Sequence, residues 1–147
     1  MKSKLMTQDN GMKIHIVVLD PDEEAFGAIG EFARRENISA ASISAVGAFK
    51  RATVGWFDFD TKKYRPIEVD EQCEVLSVLG DIAIDDKGEP SVHVHAVFGL
   101  KDGSTRGGHL LKAIVNPTLE LTITETPAEL HRTSRPELGI ALIDLSK

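Results

Sequence analysis

Three histidines in two neighbouring segments carry the strongest chemical signal in this 147-residue chain. His93 and His95 alternate with Val92, Val94 and Ala96, the period-2 pattern of a strand with one apolar face. Side chains at i and i+2 leave the same face from Cα atoms about 6.5 Å apart. Two imidazoles at that spacing can converge on one metal ion, each bonding at about 2.0–2.1 Å. The third, His109, follows two glycines in Arg106-Gly107-Gly108-His109-Leu110. Three imidazoles that leave one coordination position open form the pattern of catalytic zinc, although imidazole also suits copper, nickel and iron.

Whether His109 joins the pair depends on the turn between the segments, which read as the arms of a hairpin around Asp102-Gly103. A two-residue loop there sets His109 opposite Ala96, on the wrong face. A three- or five-residue loop sets it opposite Val97 and diagonal to His95, on the histidine face. A bulge at Gly107-Gly108 has the same effect, and glycine is a residue bulges use. A three-histidine centre therefore demands an odd loop or a glycine bulge.

Glu120, on the following expected strand, offers a carboxylate that could orient an imidazole; its alternative is a solvated strand position. Arg106 could hold an anion beside the histidines or lie free on the surface. The stretch Asp102 to Gly108 is glycine-rich, but it joins strands and is not a strand-to-helix phosphate loop. His15 and His131 fall in unrelated segments and receive no role. Cys73 sits in an acidic, apolar setting that does not activate a thiol, and a single cysteine forms no internal disulfide.

The elements that must position these residues are mostly strands. Asn10-Gly11 predicts a hairpin between strands at about 3–8 and 12–19. One amphipathic helix follows: Asp20 is the expected N-cap, Pro21 the first helical residue and Glu23 the capping-box partner. Ala25, Phe26, Ile29, Phe32 and Ala33 form its apolar face, and Asn37 its stop. Short strands are expected at 39–46, 53–59, 64–69, 74–79, 82–84, 91–100, 109–115 and 119–124, with a closing one within 138–145. Asp60-Thr61-Lys62, Asp85 to Gly88, Asp102-Gly103 and Asn116-Pro117 are the turn signals. One helix and seven or more strands without βαβ alternation predict an α+β fold, the helix packed on a mainly antiparallel sheet. Exposed edges of such a sheet must be hidden, and self-association is one way.

Composition narrows the function. Apolar residues at 41% and charged residues at 27% suit one globular domain spanning residues 1–147. The net charge is −6, with 10 basic and 13 acidic residues in 1–75 and 7 and 10 in 76–147. No half is a basic module, so bulk attraction to nucleic acid or an anionic membrane is not supported. No apolar run reaches membrane-spanning length and no signal peptide is visible, so the expected location is the cytoplasm.

The order of features resembles a known family. Ile43-Ser44-Ala45-Val46-Gly47-Ala48, Glu74 to Gly80, His93-Val94-His95, Gly107-Gly108-His109-Leu110 and Thr118-Leu119-Glu120 together are similar to the PPC domain shared by plants and prokaryotes. The resemblance covers about residues 10–125. It implies a homotrimer with histidines near the subunit boundaries, and a metal, zinc being the expected ion, on His93, His95 and His109. Arg106, Gly107, Gly108 and Glu120 would then support that centre or a small ligand. Plant relatives bind DNA through a basic AT-hook. This chain has no Arg-Gly-Arg-Pro core, which makes direct DNA binding the weaker alternative beside a protein-assembly role.

Overall fold

The helix starts later than its capping signals suggest, and the reason is local. A computed structural model describes residues 1–147 and places α1 at Ala25–Glu36, after β1 (Lys2–Asp9) and β2 (Met12–Leu19). The Asp20 carboxylate is engaged by the N-terminal amine and Lys2, while Glu23 accepts the Asp20 backbone N–H at 2.7 Å. Asp22 has φ 69°, so residues 20–23 form a turn. Glu24 is the N-cap instead, accepting from the Phe26 and Gly27 N–H groups at 3.1 and 2.7 Å. The same carboxylate accepts the Ala113 N–H at 3.2 Å, tying the helix start to the sheet. Asn37 ends the helix as expected, in the left-handed region at φ 55°. Phe26 is half-buried, while Ala25, Ile29, Phe32 and Ala33 are buried.

The strands that follow are fewer and longer than the turn signals suggest. They are β3 (Ala40–Asp58), β4 (Lys63–Val69), β5 (Cys73–Ile84), β6 (Pro90–Gly99), β7 (Thr105–Glu125), β8 (Arg132–Arg135) and β9 (Ile140–Ile143). The segments expected at 39–46 and 53–59 are one strand, as are 74–79 with 82–84 and 109–115 with 119–124. Register shifts, such as that between Ala45 and Gly47, let a strand bend without ending. Asn116-Pro117 is not a turn but a cis peptide within β7. It lies opposite the register break between Gly47 and Phe49, where no ladder hydrogen bond is required of proline.

The result is the expected α+β fold: one helix and a seven-stranded antiparallel sheet in the order β1-β2-β7-β6-β5-β3-β4. β7 also pairs with β3, so β3, β5, β6 and β7 close on one another. The interior is a core of 27 buried residues that includes Phe32, Phe49, Phe98 and Leu121. Val94, Ala96 and Phe98 point into it, which turns His93, His95 and Val97 outward. β8 and β9 form a separate two-stranded ribbon.

Candidate metal centre

The β6–β7 hairpin closes with an odd loop. Gly99 pairs with Thr105, leaving the five residues Leu100 to Ser104 between them, and the Leu100 N–H donates to Ser104 O at 2.9 Å. The loop is centred on Asp102, one residue earlier than a His109–Val97 pairing requires. His109 therefore lies directly opposite His95, and Gly107 takes the place opposite Val97. The odd loop supplies the right face, and the shift by one residue brings the imidazoles closer than the diagonal arrangement.

The three rings form a nearly equilateral group. Centroids are 5.2 Å apart for His93–His95, 5.1 Å for His93–His109 and 5.3 Å for His95–His109. One ring nitrogen from each lies within 4.8 Å of the others. Tetrahedral bonds of 2.0–2.1 Å require nitrogens about 3.3 Å apart, a contraction within side-chain torsional freedom. Burial, helped by the neighbouring His93 and His95, pushes the His109 pKa down to about 4. Burial also lowers that of His93, with the Arg132 charge acting in the same direction. Both rings are thus held neutral, the form that ligates metal. His109 Nδ1 is buried and has no hydrogen-bond partner, an orphan that a metal or ordered ligand would satisfy. On this chemistry the residues fit a divalent cation.

Residues without a local sequence signal support the cluster. Asp81 is the cross-strand partner of His93, with Oδ2 at 3.9 Å from Nδ1, within electrostatic reach but beyond a hydrogen bond. The other Asp81 oxygen pairs with Arg132, a buried guanidinium that also donates to Ser91 O at 3.3 Å. Tyr64 stacks on His109 with centroids 4.6 Å apart and planes at 20°. Gly55 permits this, because a Cβ there would meet Tyr64 Cδ1 at 2.7 Å. Tyr64, His93, His109 and Arg132, with Ile140 and Leu142 of β9, line a cavity of about 260 Å³ beside the cluster.

The other residues singled out in the sequence lie elsewhere. Gly108 brings β7 close to β3, since a Cβ there would meet Gly55 O at 2.6 Å. Arg106 is exposed, faces the side of Phe98 rather than that of the histidines, and donates to Thr105 O at 2.9 Å. Glu120 lies eleven residues beyond His109 on the same strand, opposite Val46 and Val18. Cys73 is buried, with its pKa raised to about 11 by that burial. His15 is buried edge-on to Phe32, with Nε2 3.4 Å from Glu125, and His131 approaches Glu129.

A closed antiparallel sheet with one packed helix and an outward three-histidine cluster defines the class. The chain belongs to the Plants and Prokaryotes Conserved (PCC) domain family, whose model matches residues 6–127. It is similar to a supposed DNA-binding protein from Bacteroides thetaiotaomicron at 27% identity and TM-score 0.86, covering 96% of each chain. A plant- and prokaryote-conserved protein from Pyrococcus horikoshii matches at 27% identity and TM-score 0.84, covering 99% of this chain and 96% of its own. A metal-containing protein from Archaeoglobus fulgidus matches at 30% identity and TM-score 0.81, over 97% of this chain and 99% of that one. No curated protein matches the chain.

Proposed function

We propose that residues 1–147 act as one domain that assembles as a homotrimer and binds a divalent metal, zinc in the first instance, through His93, His95 and His109. The observation that carries this reading is the convergence of three ring nitrogens within 4.8 Å, one of the imidazoles keeping a buried nitrogen without a partner. The metal-containing relative from Archaeoglobus fulgidus is consistent with it. Gly107 and Gly108 let β7 seat His109 beside β6, and the Asp81 carboxylate faces His93 across the ladder. Imidazole ligands would leave a divalent ion with its full charge, while the Arg132 guanidinium is already paired with Asp81. The adjoining cavity therefore suits a small anionic ligand; bound metal would act there as a Lewis acid. Arg106 is available to an anion only from the loop end of the hairpin.

Elemental analysis of untagged protein tests this reading. We expect about one equivalent of metal per chain after loading, lost in His93→Ala. Less than about a tenth of an equivalent, unchanged by that substitution, would overturn it.

A second reading, association with DNA, is favoured by the description of the Bacteroides thetaiotaomicron relative. The net charge of −6 and the lack of an AT-hook count against it. A mobility shift with duplex DNA at physiological salt, abolished as salt rises, would support it. No helix is long and apolar enough to cross a membrane.

A further inference from the structure

None of the three histidines makes a side-chain hydrogen bond within the chain, and His95 alone has neither a carboxylate nor an aromatic ring from outside the cluster recorded beside it. His93 faces Asp81 at 3.9 Å and His109 stacks on Tyr64, whereas the rings beside His95 are those of the other two imidazoles. His95 is also the exposed member of the cluster. Histidine ligands usually give their second ring nitrogen to a carboxylate, carbonyl or water. The in-chain carboxylate nearest the cluster, Asp81, is committed to Arg132 and His93.

An unpaired carboxylate lies on the same outer surface. Glu120 is exposed and forms no side-chain hydrogen bond or ion pair, and large apolar side chains lie beside it. Val46 opposite it is 57% exposed, and Leu76 and Leu79 are 55% and 60% exposed. With Ser44 and Thr122 they line a shallow depression of about 210 Å³. Leu79 is the direct cross-strand partner of His95, and Val97, 42% exposed, lies two residues beyond on the same face. An apolar strip thus runs across β3, β5 and β6 with Glu120 at one end and His95 at the other. Large apolar residues in a continuous exposed strip mark a surface that another protein covers.

Glu120 cannot reach His95 within its own chain. Along β7 it is roughly 36 Å from His109 at about 3.3 Å per residue. Across the sheet, three strand spacings of about 4.8 Å separate its row from that of His95. In a head-to-tail ring of three copies, however, one surface of each copy meets a different surface of the next, so the Glu120 end of one strip can meet the His95 end of its neighbour. Covering the strip would also bury Glu120, and a buried carboxylate requires a cationic or N–H partner. An exposed imidazole with no carboxylate of its own, His95, is the complementary surface.

We propose that Glu120 of the partner subunit completes the histidine centre by accepting the free ring N–H of His95 across the subunit boundary. Glu120 is then a positioning residue acting in trans, and the apolar strip is the contact that carries it there. This inference rests on the homotrimer and metal centre proposed above.

Cobalt(II) titrated into the metal-free full-length chain tests it, read by visible absorbance, with each protein's mass measured by light scattering. We expect Glu120→Gln to remain trimeric but to bind cobalt about ten- to a hundredfold more weakly, with an altered spectrum. Mixed trimers of Glu120→Gln and His95→Ala subunits should recover wild-type cobalt sites in about a quarter of chains, because hybrids place an intact carboxylate beside an intact centre. Wild-type binding by trimeric Glu120→Gln, or a mixture that equals the sum of its parts, overturns the proposal and leaves the trimer and metal centre standing. A monomeric wild type overturns the trimer itself.

Discussion

His95 and His109 face each other directly across the β6–β7 ladder, their ring centroids 5.3 Å apart. Cross-strand partners share a face, so this pairing and the two-residue step from His93 to His95 fix all three imidazoles on the outside of one hairpin. The geometry belongs to the ladder, which makes the centre as rigid as the sheet.

Gly55 should be the most sensitive position that never touches metal. A methyl group there collides with the Tyr64 ring, which must leave its stack on His109. We expect Gly55→Ala to cost about 1–3 kcal/mol of stability, as overpacking does, and to weaken metal binding in parallel. Urea denaturation and metal titration of the same sample measure both. Unchanged metal affinity would show that the stack does not hold His109.

Asp81 links the cluster to the buried Arg132. Asp81→Asn should lower metal affinity by less than about tenfold, because its charge acts on His93 from 3.9 Å without a hydrogen bond. It should also destabilise the fold by about 2 kcal/mol, because a buried guanidinium is left unpaired; partial exposure of Asp81 keeps this below the usual cost. Asp81→Asn with Arg132→Met should recover much of the stability but not the metal affinity. The double variant separates the two effects in one denaturation series.

Much of this site was legible in the sequence, and the remainder was not for definite reasons. His93 and His95 are visible because a strand's period of 2 is local, and His109 because loop parity constrains it. The one-residue difference in loop centre is not encoded locally, since Asp102 and Gly103 serve either centre equally well. Asp81 was recoverable in principle, as the Asp85–Gly88 turn sets the β5–β6 register. Tyr64 and Arg132 reach the cluster from β4 and β8 through tertiary packing, which leaves no local pattern. Asp20 and Glu23 make a turn that imitates a capping box, so the true N-cap, Glu24, has no distinct sequence signal.

Acid stability should depend on Asp58. Its carboxylate is held below the usual range first by the Thr61 N–H, with Arg65 and the Asp60 N–H adding to it. The unfolded chain therefore binds the proton more readily. Stability from this group is complete above the unfolded value and is lost as pH falls through it toward the folded value, below about pH 4. Asp58→Asn should be less stable at neutral pH and show a shallower loss on acidification. Thermal denaturation against pH checks the slope, and parallel curves for the two proteins would refute the assignment.

Cys73 should be silent in the native protein. It is 1% exposed and its thiol titrates near 11, so almost no thiolate forms at neutral pH. Alkylation at about pH 8 should be negligible until denaturant is added, then rapid, as mass spectrometry would show. Rapid labelling of the folded chain would mean that the start of β5 opens.

Anomalous diffraction from crystals grown without added metal tests the metal centre most directly. We expect a single peak per chain, bonded to His93, His95 and His109 at about 2.0–2.1 Å, its absorption edge naming the element. Density without an anomalous peak between the three rings, persisting after crystals are soaked in zinc, would contradict a metal centre at this site.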